Sequence, residues 1–314
     1  MHILITGANG FIGRHLVEKL ISKPEELDVT HITVMDLTLD LVPEHDMVNR
    51  VTGSFADEDK LNEALQSPAD LVFHLAAVPS GAAEHNHQLG IDVNIHGTMA
   101  LLEKLKHQDV MATLVFASSI AVYGKPSVPE VNDDTLPTPN LSYGSQKVVA
   151  ETLIADYARR QWINGCSVRL PGIVARPPEP NGAVSIFFSD LIRNLSSGKS
   201  YTCPVSPTAK SWLMSVNVCV ENLVHAARLD HTGKQAWTLP AMHVSIEELV
   251  GAISETYPDN DVFSLIDYQQ DNWIEDNFGS YPPLNCPRAE AAGFHHDGDV
   301  KALVVNGLAG IEKK

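Results

Sequence analysis

Cysteine is scarce in this chain, and what there is forms no pattern. Cys166, Cys203, Cys219 and Cys286 stand far apart with no C-x-x-C among them. That spacing argues against a zinc site and a disulfide scaffold, and it fits a reducing cytoplasm. No apolar run approaches the length of a membrane span, and a first strand starting at His2 leaves no room for a signal peptide ahead of it. Basic residues are outnumbered, 22 Lys and Arg against 39 Asp and Glu, for a net charge of -17. A nucleic-acid partner is therefore not expected, because phosphate binding needs clustered cations. Histidine is plentiful at 14, but none falls in H-E-x-x-H or another metal pattern, so no metal is expected. Internal repeats and low-complexity segments are missing too. What is left is a globular composition, 44% hydrophobic and 19% charged over 314 residues, enough for one large or two modest domains.

The first informative stretch is at the start. His2-Ile3-Leu4-Ile5-Thr6 is a short apolar run that ends at a glycine turn, as a buried parallel strand does. The turn reads Thr6-Gly7-Ala8-Asn9-Gly10-Phe11-Ile12-Gly13, and a helical pattern follows from Arg14 to Ser22. A second strand, His31 to Asp36, then closes on a carboxylate. Strand, glycine turn, helix, strand, acid is the dinucleotide-binding unit. Gly7 allows the tight turn, Gly10 lets backbone N–H groups approach a pyrophosphate, and Gly13 lets the helix pack on the strand. The helix N-terminus around Phe11 and Ile12 supplies donors and partial positive charge for phosphates. Asp36 binds the adenosine ribose hydroxyls and repels a 2′-phosphate, so NAD is expected rather than NADP.

Further strands are expected at Val51–Phe55, Leu71–Ala77, Thr113–Ala117 and Cys166–Leu170, with long helices over Gly90–Leu105 and Tyr143–Arg160. Ligands bind outside the carboxyl ends of such strands, which points Leu75, Ala76 and Ser80 at the cofactor and substrate. The fifth strand delivers Ser118 and Ser119. Downstream lies Ser142-Tyr143-Gly144-Ser145-Gln146-Lys147, where Tyr143 and Lys147 are four apart and share one helix face. Of seven tyrosines, Tyr143 alone has Lys at +4. A secondary alcohol is a very weak acid, so its oxidation needs a base at the hydroxyl. A free tyrosine titrates near 10, and an ammonium one turn away favours its phenolate. Tyr143 is therefore the expected base, Lys147 its helper and a contact to the cofactor ribose, and Ser119 the group that holds the hydroxyl. Beyond Leu170 the pattern loosens. A Pro-rich loop follows, then a helix from Ser185, a helix over Val218–Leu229, a strand near Trp237 and a capping box at Ser245-Ile246-Glu247-Glu248.

These motifs resemble the extended short-chain dehydrogenase/reductase family. The match covers T-G-x-x-G-x-x-G at 6–13, Leu75-Ala76-Ala77, S-S-x-x-V-Y-G at 118–124 and Y-G-x-x-K at 143–147. It implies an α/β, Rossmann-type doubly wound parallel sheet with a smaller, mixed C-terminal substrate-binding part. It also implies Tyr143, Lys147 and Ser119 as the catalytic set, and a homodimer through the helices near 90–105 and 143–160. One departure is Gly53-Ser54-Phe55, where the family carries Asp after the Gly for adenine. The second half, with Arg169-Leu170-Pro171-Gly172-Ile173-Val174, Cys203-Pro204-Val205 and Trp212-Leu213-Met214-Ser215, resembles the D-erythronate dehydrogenase group within that family. That resemblance implies NAD-dependent oxidation at C2 of a four-carbon sugar acid, with Pro171 and Ile173 near the cofactor. A small acid needs donors and cations for its carboxylate. Ser80, Asn181 and Ser185 are the candidate donors, and Arg176 and Lys210 the candidate charges.

The expected division is a NAD-binding part at 1–172 and 212–240, with a substrate-binding part at 173–211 and 241–314. Two other classes compete. A nucleotide-sugar epimerase uses the same triad but returns the hydride, and a non-catalytic scaffold would tend to lose Tyr or Lys, both present here. Dehydration is disfavoured because Ile120-Ala121, not acids, follow Ser119.

Overall fold

The computed structural model describes residues 1–178, 184–231 and 236–310. Asn181 lies outside the described residues. Within them the chain divides into two compact units, one of residues 1–122, 141–169 and 220–237, the other of residues 123–140, 170–219 and 238–314.

The first unit is built on β1 (His2–Thr6), β2 (His31–Asp36), β3 (Val48–Thr52), β4 (Leu71–His74) and β5 (Thr113–Ser119). Every residue of β1 and β4 is buried. An unbroken apolar run suits a strand covered on both faces, which is why neither shows polar alternation. The seven-stranded sheet runs Ala236–Thr238, Asn164–Leu170, β5, β4, β1, β2, β3. β1 pairs in parallel with both β2 and β4, β2 with β3, and β4 with β5. The order reverses at β1, so the carboxyl ends of β1 and β4 flank the switch point where ligands bind in such sheets. Leu4, Val72, Leu114 and Phe116 from the sheet pack with Leu101, Leu102, Ala150 and Ile154 from helices Thr98–Lys106 and Ser142–Arg159.

The second unit holds a three-stranded sheet in the order Met242–Ser245, Lys210–Ser215, Gly172–Val174. Its core joins Leu213 and Val244 to Phe188, Leu191, Leu249, Ile253, Leu303 and Val304 from three helices. Ser245 caps the helix Ile246–Thr256 through a full capping box with Glu248, as expected.

Several expectations need correction. Residues 212–219, assigned from sequence to the NAD-binding part, group with the second unit, because Lys210–Ser215 pairs with strands on either side there. Residues 123–140 do the same, tied by the pairing of Val131–Asn132 with Leu284–Asn285. The third strand lies earlier, at Val48–Thr52. The helix expected over Gly90–Leu105 widens into a π-helical turn at Ile91–Gly97 before resuming at Thr98.

Glycine placement generates a test. A Cβ at Gly13 would lie 2.1 Å from the Gly7 carbonyl oxygen, while one at Gly251, inside the helix Ile246–Thr256, would meet nothing within 4 Å. Gly13→Ala is expected to destabilise the protein by about 1–3 kcal/mol through overpacking against backbone. Gly251→Ala is expected to stabilise it by roughly 0.5–1 kcal/mol. Urea denaturation of both variants checks the opposite signs.

Candidate active site

The glycine turn sits where β1 hands over to the helix Phe11–Ser22. Gly7 has φ +75°, and a Cβ there would lie 2.6 Å from the Ala76 nitrogen and 2.9 Å from the Leu75 carbonyl carbon. Only glycine lets the turn come this close, so Gly7, Leu75 and Ala76 meet at the switch point. Gly10 is the N-cap of the helix, no side chain caps it, and no acid occupies its first turn. Its leading N–H groups and partial positive charge therefore suit a phosphate. Asp36 closes β2 beside this turn. One carboxylate oxygen accepts from Asn9 N–H at 2.9 Å and the other from Leu37 N–H at 2.7 Å. Burial raises its pKa, and these backbone donors oppose the rise. A cradle that only glycine fits, an uncapped helix start and a fixed carboxylate at the second strand's end suit a dinucleotide with a free ribose 2′-hydroxyl. Ser54, where the family carries an acid, uses its Oγ to accept from Ala56 N–H at 3.2 Å.

Lys147 is 2% exposed. Its Nζ donates to the Ala117 carbonyl at 2.6 Å, 4.4 Å from the Phe116 ring centroid and 5.4 Å from that of Tyr143. The helix Ser142–Arg159 thus sets Lys147 against the end of β5, with Tyr143 one turn earlier and half-buried. Ser119 is the last residue of β5, and its Oγ accepts from Ala121 N–H at 3.1 Å. Burial pushes the Lys147 ammonium down to about 7, and the Glu151 carboxylate works against that fall. Glu151 is itself buried and bound by Arg169, whose Nη2 donates to it at 2.8 Å, and by the Ser118 hydroxyl.

A second buried chain joins the same strand ends. Thr98 Oγ1 donates its hydrogen to the Asn94 carbonyl at 2.8 Å, so it accepts from His74 Nε2 at 3.0 Å. His74 Nδ1 is then the acceptor for the Thr6 hydroxyl at 2.7 Å, which fixes the tautomer from the network. Burial, with Lys147 nearby, holds the His74 ring neutral, its pKa pushed down to about 3.

Asn94 was not singled out from sequence. Within the π-helical turn it reaches Val78 twice, accepting from N–H at 2.8 Å and donating to the carbonyl at 3.1 Å, and it donates to Gln146 Oε1 at 2.7 Å. It ties the loop after β4 to the Tyr143 helix. A weak helix former between Gly90 and Gly97 was the available signal. Ser80 opens the short helix Ser80–His85 in the first unit. Pro171, Ile173, Arg176, Ser185 and Lys210 belong to the second unit. There Ile173 is buried, Arg176 Nε donates to the Ile173 carbonyl at 3.1 Å, Ser185 lies in a 3-10 turn at Val184–Ile186, and Lys210 is exposed. No group of three or more metal-ligating side chains occurs among the described residues, and none of their helices is long and apolar enough to cross a membrane.

The sequence profile of the NAD dependent epimerase/dehydratase family matches residues 3–235. D-erythronate dehydrogenase of Cupriavidus necator is 36% identical, over 97% of each chain. The enzyme of the same name from Haemophilus influenzae is 30% identical, over 97% of this chain and 98% of its own. Among solved structures, a nucleoside-diphosphate-sugar epimerase from Agrobacterium tumefaciens superposes with a TM-score of 0.91 at 28% identity, covering 99% of this chain and 95% of that one.

The buried ammonium makes stability depend on pH. Lys147 titrates near 7 when folded but near 10.4 when unfolded. Below pH 7 the folded state carries the whole cost of burying the charge. Between about 7 and 10.4 the unfolded state binds the extra proton, so this cost fades as pH rises. Lys147→Met removes the term. Its unfolding free energy relative to wild type is expected to be most favourable below pH 7 and to lose a few kcal/mol of that advantage by about pH 10. Denaturant melts of the cofactor-free protein across that range check it, and parallel curves would refute it.

Proposed function

The chain belongs to the NAD dependent epimerase/dehydratase family, and we propose that it oxidises the C2 hydroxyl of a small sugar acid, D-erythronate, to the 2-oxo acid. It is an oxidoreductase, and its cofactor is NAD. The observation that carries the proposal is the buried Lys147 Nζ, lodged between the Ala117 carbonyl and the Tyr143 ring at the end of the strand that presents Ser119. The choice of sugar acid is supported by the relatives of that name, which match over nearly the whole chain.

When bound, NAD supplies the acceptor for the hydride that leaves the substrate carbon. Gly7, Gly10, Phe11, Ile12, Gly13, Asp36, Leu75, Ala76 and Lys147 of the first unit would hold it. Ser119 donates to the substrate hydroxyl and aims it at Tyr143. Tyr143 takes the hydroxyl proton, and the ammonium of Lys147 stabilises the phenolate that must exist first. Ser80 is a proposed substrate contact of the first unit; Asn181, Ser185, Arg176 and Lys210 remain candidates for a carboxylate by their donor chemistry.

We also propose a homodimer through the helices at 87–106 and Ser142–Arg159. Leu89, Met99 and Val149 are 43%, 44% and 41% exposed there, an apolar display that a partner helix pair would cover. Met99→Glu with Val149→Glu is expected to convert a dimer to a monomer in sedimentation. A monomeric wild type at assay concentration would reject this interface.

Epimerisation is the second reading, favoured by the superposition on a protein of that name. Purified protein with D-erythronate and excess NAD is expected to form NADH over many turnovers, whereas an epimerase returns each hydride and accumulates none. Tyr143→Phe is expected to lower kcat by about 10²–10⁴-fold while NAD binding is retained. Normal turnover by this variant would remove Tyr143 from the mechanism.

A further inference from the structure

Beyond the Ser-Tyr-Lys set, the described residues hold one buried ionic cluster next to it, and the proposed reaction leaves it without a task. Glu151 lies four residues after Lys147 on the same helix, one turn further from Tyr143. Arg169, on the strand Asn164–Leu170, donates to it from Nε at 3.0 Å and from Nη2 at 2.8 Å. The Ser118 hydroxyl, adjacent to Ser119 on β5, donates to the same carboxylate. The side chains of the pair are only 13% and 8% exposed. Three elements converge on one carboxylate, and all three carry or adjoin the catalytic set.

We propose that Glu151, held by Arg169 and Ser118, is a positioning residue for Lys147: its carboxylate keeps the neighbouring ammonium charged in an apolar site and thereby sets the pH at which Tyr143 acts as a base. The proposal rests on the reading of Tyr143 and Lys147 as base and helper.

The surroundings of Lys147 support this assignment. From β5 it meets the Phe116 ring and the Ala117 carbonyl, which offer π density and one acceptor but no charge. From β4 it faces His74, neutral in the hydrogen-bonded tautomer described above and unable to offset a cation. From its own helix it lies 5.4 Å from the Tyr143 ring centroid, uncharged until it works, and one turn from Glu151, whose charge acts on it through space. Glu151 is thus the anion that opposes the desolvation of this ammonium. Arg169 and the Ser118 hydroxyl fix where that carboxylate sits, and Ser118 still donates to it when Arg169 is replaced. A purely structural tie between strand and helix would need the hydrogen bonds but not the charge, and the two roles separate on that point.

The test reads the Lys147 proton directly. Protein labelled with carbon-13 at lysine Cε is titrated by NMR without cofactor, the Lys147 resonance being assigned by its loss in Lys147→Met. In wild type the midpoint is expected at about 7. In Glu151→Gln, which keeps the shape and loses the charge, it is expected to fall by about one pH unit or more. In Glu151→Asp and in Arg169→Met, where an anion persists, it is expected to stay or rise. Should Glu151→Gln fail to fold because Arg169 is left unpaired, the double variant Glu151→Gln/Arg169→Met removes both charges and is expected to show the same fall. An unmoved midpoint in the neutral variants, or an equal fall in Arg169→Met, overturns the proposal. The second reading is the acidic limb of kcat/KM for NADH formation. It is expected to move to higher pH in Glu151→Gln and not in Arg169→Met, whereas structural damage lowers activity at every pH. A shifted Lys147 midpoint with an unmoved limb would instead break the link to Tyr143, and with it the reading of Tyr143 as the base.

Discussion

A primary ammonium with 2% exposure, facing an aromatic ring and a single carbonyl, is the constraint on which the site depends. Water would solvate that charge far better, so the fold must compensate for its removal. The compensation is distributed. The Ala117 carbonyl turns toward Nζ at the end of β5, and the Phe116 and Tyr143 rings offer their π faces. Glu151 supplies the opposing charge from one turn away. Such a group is only partly protonated near neutrality in the empty site. It responds steeply to any added charge or donor, and this suits the role proposed for it beside the Tyr143 phenol.

The neutral counterpart is His74. It lies as deep as Lys147, yet it is kept uncharged and hydrogen-bonded at both nitrogens. Through Thr6 it reaches the last residue of β1, just before the glycine turn, and through Thr98 it reaches the carbonyl of Asn94. Asn94 then fixes the loop after β4 and the helix that carries Tyr143. The glycine turn and the helix Ser142–Arg159 are therefore joined by a polar chain through Thr6, His74, Thr98 and Asn94. A protonated imidazole would force the Thr6 hydroxyl to give up its donor role and would add a second cation near Lys147, so the low pKa of His74 and the geometry agree.

How much of this was legible in the residues follows from the range of the forces involved. The glycine turn, the first two strands and the Tyr143–Lys147 face obey local rules of spacing and backbone freedom, and they stand where those rules put them. The capping box at Ser245 is equally local and equally readable. The π-helical turn at Ile91–Gly97 was not, because periodicity continues through it while the inserted residue serves a partner, Gln146, from another helix. The grouping of 212–219 with the second unit likewise depends on strand pairing with residues 172–174 and 242–245, a non-local choice that composition does not encode. Glu151 and Arg169 are 18 positions apart and lie on different elements, so nothing in their spacing marked them as one cluster.

The substrate charge bears on why a cation is worth burying here. In a nucleotide sugar the reacting carbon is far from any ionised group, and the alkoxide that develops is the only local negative charge. In a 2-hydroxy acid the carboxylate is bonded to the reacting carbon. Removing the hydroxyl proton then builds a second negative charge about 3–4 Å from the first, a repulsion of roughly 4 kcal/mol at an effective dielectric constant near 20. Before the proton moves, the phenolate base carries that second charge a little further from the carboxylate, so transfer brings the two charges closer together. An ammonium whose charge is maintained by a fixed carboxylate, away from solvent screening, offsets such a build-up more effectively than a surface lysine would. On the proposed reaction, the Lys147–Glu151–Arg169 arrangement would answer that build-up from beside the reacting hydroxyl.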